Sequence, residues 1–431
     1  MDKINLFPKI PDDFLLQCMH CGMCLPSCPT YVLTKRERSS PRGRIRLIKS
    51  VSEGKLPISD AFIAETTFCL DCRACETACP AGVQYGRIIE ETRWAIAQQK
   101  TPDFKSGLIK KLLLNGLFAK QKRLQFVARL IRIYQCSGIE WLNLKLNIAG
   151  LFSKKLKDIS PLAPKINKKF THQLLPEFLP AKGETKFKVG LLTGCMQDIA
   201  FSDVNVATAE VLALNNCDVF IPRNQGCCGS VHAHSGDSKQ ACQQILQNAA
   251  TFDLDSLDAI IVNAAGCGAF LKESDKIFSG DSDSATIDKV ASKTKDISEF
   301  LCEIGFKKPE ENLKLDVTYH DACHLAHGQK IRSAPREIIE SIPGIKLIEM
   351  EESDWCCGSA GVYNITHTET AFELLDRKMG NIAKTGASII VSANPGCSIQ
   401  LAYGVSKQKN DMQILHPVSL LWRAYQGESG N

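Results

Sequence analysis

The chain has 431 residues, of which 44% are hydrophobic and 23% charged, so it is long enough for about three domains of ordinary globular composition. Its formal charge of +5 is modest for this length and does not indicate nucleic-acid binding, which usually requires a concentrated basic surface. The unusual feature is its 20 cysteines, which cluster in spacings typical of metal ligands. The N-terminus lacks the apolar segment of a signal peptide, and no apolar run is long enough to cross a membrane. We therefore expect reduced thiols, a cytoplasmic location, and membrane contact that is at most peripheral, at the inner face of the cytoplasmic membrane.

Two cysteine runs of identical spacing lie in the first hundred residues. Each has gaps of two, two and three residues and ends in proline, which is the spacing that ligates [4Fe-4S] clusters in bacterial two-cluster ferredoxins. In those ferredoxins the fourth cysteine of each run ligates the other cluster. The first predicted cluster is therefore held by Cys18, Cys21, Cys24 and Cys79, and the second by Cys69, Cys72, Cys75 and Cys28. A pair of zinc sites is the alternative, and such dense runs of four count against it.

Residues 1–100 are accordingly predicted to form a helical, ferredoxin-like domain with two [4Fe-4S] clusters. The segment between the two runs must leave the clusters and return. Apolar residues at Ile45, Leu47, Ile48 and Val51, after Ser39-Ser40-Pro41, predict a capped helix within it.

Residues 101–185 are different in kind, because basic and apolar residues alternate with helical periodicity. The basic positions are Lys105, Lys110, Lys111, Lys120, Lys122, Arg123, Arg129 and Arg132, and the apolar ones are Leu108, Leu112, Leu113, Leu117, Phe118, Leu124, Phe126, Val127, Leu130 and Ile131. The pattern predicts a basic amphipathic helical linker. It either covers the cores of its neighbours with a solvated outer face or docks on a partner subunit or anionic lipid.

From Phe187 onward short apolar runs alternate with helical segments, which predicts α/β domains with mostly parallel sheets. Strands are predicted at 187–192, 219–222, 259–263, 315–319, 346–350 and 388–393, and helices near 202–214, 238–250 and 267–273. The cysteines repeat along this region: Cys195, Cys227, Cys228 and Cys267 return as Cys323, Cys356, Cys357 and Cys397, shifted by 128 to 130 residues. We predict two repeated cysteine-rich α/β domains, at 186–312 and 313–431, giving an overall multidomain α+β and α/β fold.

The four cysteines of each repeat follow predicted strands, where α/β folds place their sites, and thiolates suit iron-sulfur clusters or zinc. The C…CCG…C pattern resembles the cysteine-rich domains of heterodisulfide reductases and of several respiratory dehydrogenase subunits. With S-S-P-R-G-R-I at 39–45, A-G-C-G-A-F-L-K-E at 265–273 and D-W-C-C-G-S-A-G at 354–361, nearly the whole chain resembles the iron-sulfur subunits of glycolate oxidase.

That resemblance implies an electron-transfer subunit that receives electrons from flavin-bearing partner subunits and passes them towards quinone or another membrane acceptor. The chain shows no nucleotide-binding glycine motif of its own, so we expect no flavin on it and no glycolate oxidation by the isolated chain. The alternatives are the equivalent subunit of a lactate or anaerobic glycerol-3-phosphate dehydrogenase, a catalytic subunit like those of heterodisulfide reductases, and a zinc-binding scaffold.

One departure from the heterodisulfide reductase pattern concerns the fifth cysteine of each repeat. The positions three after Cys267 and Cys397 hold Phe270 and Gln400, so the duplicated sites carry one or two further clusters or none. His320, Asp321 and His324 flank Cys323 and are interpreted as structural groups rather than as donors near a cluster. The remaining cysteines have no partner spacing and are predicted to be core residues: Cys136, Cys217, Cys242 and Cys302.

Overall fold

The computed structural model describes residues 10, 12–99, 111–280 and 282–427. Its N-terminal unit is built from helices, at Asp12–Leu16, Pro29–Thr34, Glu37–Ser39, Pro41–Ser52, Asp60–Thr67, Ala74–Thr77 and Tyr85–Gln99. The helix predicted after Ser40 is confirmed, and the Ser40 hydroxyl caps it by accepting from the Gly43 amide at 3.0 Å. Ile48, Val51, Ile88 and Ile89 are fully buried and form the small core under both cysteine runs.

The linker is also helical, with segments at Lys111–Phe118, Gln121–Cys136, Ile139–Leu146, Ile148–Phe152, Lys154–Ile159, Ser160–Leu162 and Thr171–Leu174. Leu124 and Ala128 are buried on one side of its longest helix, whereas Phe126 and Ile133 on the other side are 62% and 64% exposed. The predicted positions Lys105, Leu108 and Lys110 lie outside the described residues, as do the side chains of residues 111–113.

The first cysteine-rich domain contains a five-stranded sheet of β1 (Phe178–Leu179), β2 (Phe187–Leu191), β3 (Cys217–Phe220), β4 (Ala259–Val262) and β5 (Thr294–Asp296). The strand order is β1-β3-β2-β4-β5, and every pair is parallel except β1 with β3. Its helices are Met196–Ala200, Ser202–Leu214, Ser230–His234, Ser238–Ala249, Ala265–Lys272, Ser274–Ile277, Ser284–Lys293 and Ile297–Ile304.

The second cysteine-rich domain repeats this arrangement with β6 (Leu315–His320), β7 (Ile345–Leu347), β8 (Ile389–Ser392) and β9 (Gln413–Leu415). Its all-parallel order β7-β6-β8-β9 matches β3-β2-β4-β5 strand for strand. Its helices are His324–Gly328, Ser333–Glu340, Tyr363–Thr366, Thr368–Thr385, Pro395–Lys407 and Pro417–Gln426. The predicted fold, a helical cluster-binding unit followed by two repeated α/β domains, is confirmed.

The two sheets share one hydrophobic core rather than standing apart. Helix Pro417–Gln426 of the second domain packs against Ser202–Leu214 of the first, and Ile297–Ile304 packs against Ser333–Glu340. Val189, Val211, Val317 and Leu421 belong to the same buried cluster. The two cysteine groups are therefore held in a fixed relation to each other. None of the helices that the structure describes combines the length and the apolar character needed to cross a bilayer.

Candidate metal centres

The two N-terminal cysteine loops share an unusual backbone. His20 and Asp71, each two residues after the first cysteine of its run, have φ angles of 57° and 55°. Gly22 and Arg73, each directly after the second cysteine, have φ angles of 87° and 60°. Left-handed residues at alternating positions point successive amide groups into one concavity, which is how loops hold anionic groups. Both loops are therefore shaped for the same kind of negatively charged ligand.

Cys28 of the first run lines one cavity together with Cys69, Cys72 and Cys75 of the second run. All four residues are buried, and the cavity is also lined by Arg44 and Tyr85. The Tyr85 hydroxyl donates to the Cys69 sulfur at 3.7 Å, and the Asp71 amide approaches it at 3.4 Å. Four thiols around one cavity, with a buried guanidinium beside them, fit an anionic iron-sulfur cluster.

The other four ferredoxin-type cysteines lie near the surface. Cys18, Cys24 and Cys79 are half-buried against the core of the N-terminal unit, and Cys21 is exposed. Cys24 lies near both Cys18 and Cys28, whose charges contribute, after burial, to raising its pKa. The flanking apolar side chains Leu16, Met19 and Met23 are 59%, 67% and 61% exposed. This cysteine group is thus open to a partner, whereas the group around Cys28 is enclosed.

The first duplicated group is a row of four thiols in apolar surroundings. Cys195 and Cys227 have their sulfurs 3.6 Å apart, Cys228 contacts Cys227, and Cys267 completes the row. The residues around them include Leu192 and Phe270, both buried.

The second duplicated group has the same order of thiols in polar surroundings. Cys323 contacts Cys356, Cys357 contacts both Cys356 and Cys397, and all four are buried. Cys397 also accepts a hydrogen bond from the Asn394 side-chain amide at 3.5 Å. Burial, reinforced by the charge of Lys378, lowers the pKa of the adjacent His320 to about 3, so its imidazole is neutral.

The second duplicated group adjoins the enclosed ferredoxin-type group. Leu70, Cys72, Cys323 and Cys356 belong to one buried cluster. Burial and then the charge of the Cys323 thiolate raise the pKa of Cys72. In the part of the chain that the structure describes, the buried cluster around Cys227 contains no ferredoxin-type cysteine.

A network of charged side chains joins the N-terminal unit to the first cysteine-rich domain. His234 Nδ1 lies 2.8 Å from a Glu90 oxygen and 3.4 Å from an Asp71 oxygen, and both carboxylates are buried. Arg93 lies 3.6 Å from Asp71, and Arg73 lies 3.9 Å from Asp71 and 3.8 Å from Glu90 and pairs with Glu273. Although burial lowers the pKa of His234, its hydrogen bonds to Asp71 and Glu90 raise it to about 9. Sequence reasoning missed this network, whose members come from separate segments without a shared motif.

Two further interpretations of the sequence can be compared with the structure. Cys136 was expected in the core and is exposed, because it ends its helix on the solvent side; that prediction is wrong. Asp321 has the expected structural role, since both its oxygens accept from Arg336, at 2.9 and 2.7 Å. His324 is buried beside His234, with ring centroids 5.4 Å apart.

The fold and its cysteine groups define a class: an iron-sulfur protein in which a ferredoxin-like unit with two cysteine runs precedes a duplicated cysteine-rich α/β domain. The comparisons with known families agree with this description. The 4Fe-4S dicluster domain matches residues 14–83, the cysteine-rich domain matches residues 189–272 and 317–402, and the linker region of the glycolate oxidase iron-sulfur subunit matches residues 105–163.

Two relatives of similar size extend the match over nearly the whole chain, and a shorter one matches about half of it. A probable glycolate oxidase iron-sulfur subunit from Bacillus subtilis is 38% identical over 96% of this chain and 95% of that protein. The glycolate oxidase iron-sulfur subunit of Escherichia coli is 31% identical over 91% of this chain and 90% of that protein. Lactate utilization protein A of Oceanobacillus iheyensis is 30% identical over 54% of this chain and 96% of that protein. The chain therefore belongs to the family of glycolate oxidase iron-sulfur subunits, which confirms the resemblance found in its motifs.

Proposed function

We propose that this chain is the electron-transfer subunit of a flavin-dependent glycolate dehydrogenase complex. The observation that carries the proposal is the spatial order of its cysteine groups. The half-exposed group around Cys21 shares a core with the enclosed group around Cys28, and the enclosed group adjoins the second duplicated group through Cys72 and Cys323. A chain of redox sites from the surface to the interior suits conduction of electrons.

In this proposal the open group holds one [4Fe-4S] cluster through Cys18, Cys21, Cys24 and Cys79, and the enclosed group holds the other through Cys69, Cys72, Cys75 and Cys28. The clusters supply one-electron redox chemistry when bound. The protein's part is to tune and insulate them: Arg44 places a buried positive charge beside the enclosed site, and Tyr85 donates a hydrogen bond to the Cys69 sulfur. The boundaries 1–100, 101–185, 186–312 and 313–431 separate the proposed cluster, linker and cysteine-rich units.

The partners follow from the chemistry of the substrate and from what the chain exposes. Oxidation of a 2-hydroxy acid removes two electrons, so a flavin-bearing subunit must accept the pair and release single electrons to this chain. The exposed apolar side chains Leu16, Met19 and Met23 surround the open cysteine group and provide a docking surface for that subunit. We place the complex in the cytoplasm, with quinone or another membrane acceptor receiving the electrons.

The linker is the proposed contact with the inner face of the cytoplasmic membrane. Trp141 and Leu151 are 62% and 81% exposed, and exposed cationic residues accompany them: Lys122, Arg123, Arg129, Lys145, Lys154, Lys155 and Lys157. Apolar and cationic groups together suit anionic lipid headgroups. Flotation of the full chain with anionic vesicles checks this contact: Trp141→Glu with Leu151→Glu is expected to abolish flotation, and binding that persists would exclude it.

Two alternative functions face specific obstacles. A catalytic role like that of heterodisulfide reductases is disfavoured because Phe270 and Gln400 occupy the positions of the fifth cysteines and are themselves buried. Lactate as the substrate is favoured by one observation, the similarity to lactate utilization protein A, but that match covers only about half of this chain.

The deciding experiment is anaerobic purification of the full chain from its native host, followed by identification of the proteins that remain bound. We expect flavoproteins, glycolate-dependent reduction of the iron-sulfur signals in the complex, and no reduction in the isolated chain. Reduction of disulfides by the isolated chain, or stoichiometric zinc with no acid-labile sulfide, would overturn the proposal. A complex that responds to lactate or glycerol-3-phosphate but not to glycolate would retain electron transfer and change the substrate.

A further inference from the structure

The duplication allows the two cysteine-rich groups to be compared position by position. With the offsets of 128 to 130 residues that relate the cysteines, His320 corresponds to Leu192, Lys378 to Asn248, Asn394 to Ala264 and Gln400 to Phe270. The alignment is supported by the turns after the paired cysteines: Gly229 lies against Ala241 and Gly358 lies against Ala371, and the two pairs are related by offsets of 129 and 130 residues. The thiols are present in both repeats, but each of these four neighbours differs between the repeats in polarity or in charge.

His320 is the most informative of the four. It is fully buried at the end of β6. One of its ring nitrogens and the sulfurs of Cys357 and Cys397 all lie within 4.8 Å of one another. Neither ring nitrogen makes a hydrogen bond of normal geometry within the described residues. The Ser353 carbonyl lies close enough to the ring to raise its pKa. An imidazole that ligates a metal through one nitrogen commonly directs its other nitrogen to a backbone carbonyl. A buried imidazole without that role would leave its polar atoms unsatisfied.

Lys378 supplies a second, independent observation. Its side chain is fully buried and donates to the backbone carbonyls of Glu352 and Ser353. The carboxylates near it already have arginine partners: Asp321 with Arg336, Glu352 with Arg377 and Asp354 with Arg332. The thiols of Cys356 and Cys357 are the remaining groups whose negative charge acts on Lys378. A buried cation needs a compensating anion, and an anionic thiolate cluster provides one.

The first group offers none of these features. Leu192 and Phe270 place hydrocarbon where the second group has His320 and Gln400. Asn248 takes the position of Lys378 and is neutral; its side chain accepts from the Gly226 amide and donates to the Cys227 carbonyl, at 2.8 Å each. Its thiols are thus surrounded by groups that stabilise neutral sulfur rather than charged sulfur.

We propose that the second cysteine-rich domain holds an iron-sulfur centre ligated by His320 together with the thiolates of Cys323, Cys356, Cys357 and Cys397, and that the first group holds no metal. This assignment depends on the proposed function only in the choice of iron over zinc as the metal. That choice follows from its position: Cys72 lies in the same buried cluster as Cys323 and Cys356, which makes this centre the next redox site after the enclosed one.

The first test is the metal content of the full chain, purified anaerobically. Iron and acid-labile sulfide are expected to exceed the roughly eight atoms of each that two [4Fe-4S] clusters contain. Cys357→Ser should remove the excess, and Cys228→Ser, the matched change in the first group, should leave it in place. The two ferredoxin-type EPR signals report in both variants that the chain has folded. Loss of iron in Cys228→Ser but not in Cys357→Ser would overturn the assignment.

The second test asks whether His320 is a ligand. Pulsed EPR of the reduced protein is expected to show ¹⁴N coupling to a third centre. His320→Cys should retain the iron of that centre and lose the coupling, and His320→Ala should lose the iron. Unchanged ¹⁴N coupling in His320→Cys would exclude the nitrogen ligand.

These outcomes separate the inference from the proposed function. A chain with two EPR-active ferredoxin clusters, a bound flavoprotein and no further iron, or with zinc at the second group, would refute the third iron-sulfur centre and leave the electron-transfer proposal intact. A chain lacking the ferredoxin clusters would refute the proposed function itself.

Discussion

Replacing Gly358 by alanine tests how tightly the second cysteine pair is positioned. Gly358 directly follows Cys357 and has a φ angle of +87°, which side chains disfavour by about 1–2 kcal/mol. A Cβ atom there would overlap the Ala371 carbonyl oxygen and lie 3.1 Å from the Ala371 carbonyl carbon. Forcing atoms into such a packed site costs about 1–3 kcal/mol more, partly offset by the lower entropy of the unfolded alanine chain. We expect a net destabilisation of about 2–4 kcal/mol.

Gly361 is the matched control, because it lies in the same loop with a φ angle of +65°, and a Cβ atom added to it would meet no other atom within 4 Å. Gly361→Ala retains the backbone penalty without the overlap, so after the gain from the lower entropy of the unfolded chain we expect a loss of about 0–1.5 kcal/mol. Anaerobic urea and thermal unfolding measure the difference in stability between the two variants. In thermal unfolding we expect the midpoint of Gly358→Ala to lie roughly 5–10 °C below that of Gly361→Ala. Equal losses in the two variants would show that the contact with Ala371 does not hold the turn, and the reasoning would fail.

Three further predictions concern the ferredoxin-type sites and their attachment. Cys79→Ser should weaken the cluster of Cys18, Cys21 and Cys24, whereas Cys28→Ser should weaken the enclosed one; EPR showing the reverse would refute the exchange of fourth ligands. Arg44→Met should shift the reduction potential of the enclosed cluster negative by on the order of 100 mV, because it removes a buried positive charge. The control Arg46→Met, at an exposed position, should shift that potential little. His234→Gln should cost about 3 kcal/mol near neutral pH, since it leaves Asp71 and Glu90 without their imidazolium. Because the pKa of His234 is raised to about 9, its stabilisation is complete below its ordinary value of 6.5 and is lost as pH rises through 9, so the wild type and His234→Gln should converge in unfolding free energy at high pH; a constant difference would contradict this.

The features that the sequence predicted are those encoded by local spacing. The two N-terminal runs place their ligands within a few residues of one another, and the repeated cysteines are recognised by the constant offset of 128 to 130 residues between the two copies. The strands β1, β5 and β9, which have two or three residues each, were missed. The strand predicted at 346–350 is observed at Ile345–Leu347, where the chain leaves the sheet early.

The junction between domains could not be predicted in this way. Asp71, Glu90 and His234 come from three separate segments, and their charges meet only after the N-terminal unit has docked. The contrast between His320 and Leu192, however, was present in the sequence. Extending the cysteine offsets to the neighbouring residues would have revealed it, whereas comparing the cysteines alone treats the two groups as equivalent.

The two copies of the cysteine-rich domain contact the N-terminal unit in different ways, which suggests how duplication has divided the work. The first copy binds it through polar anchors: the Ala233 carbonyl accepts from the Trp94 indole at 3.1 Å, and Glu273 pairs with Arg73. The second copy meets it through an apolar cluster in which Cys72 lies with Cys323 and Cys356 and Phe68 packs near Tyr363, and Thr77 hydrogen-bonds His327 at 2.9 Å. A domain that only anchors has no need of a metal, and one that receives electrons must keep its donors close. Weakening the contact with the first copy should therefore lower stability without changing the iron content. Altering the contact with the second copy should change the iron content.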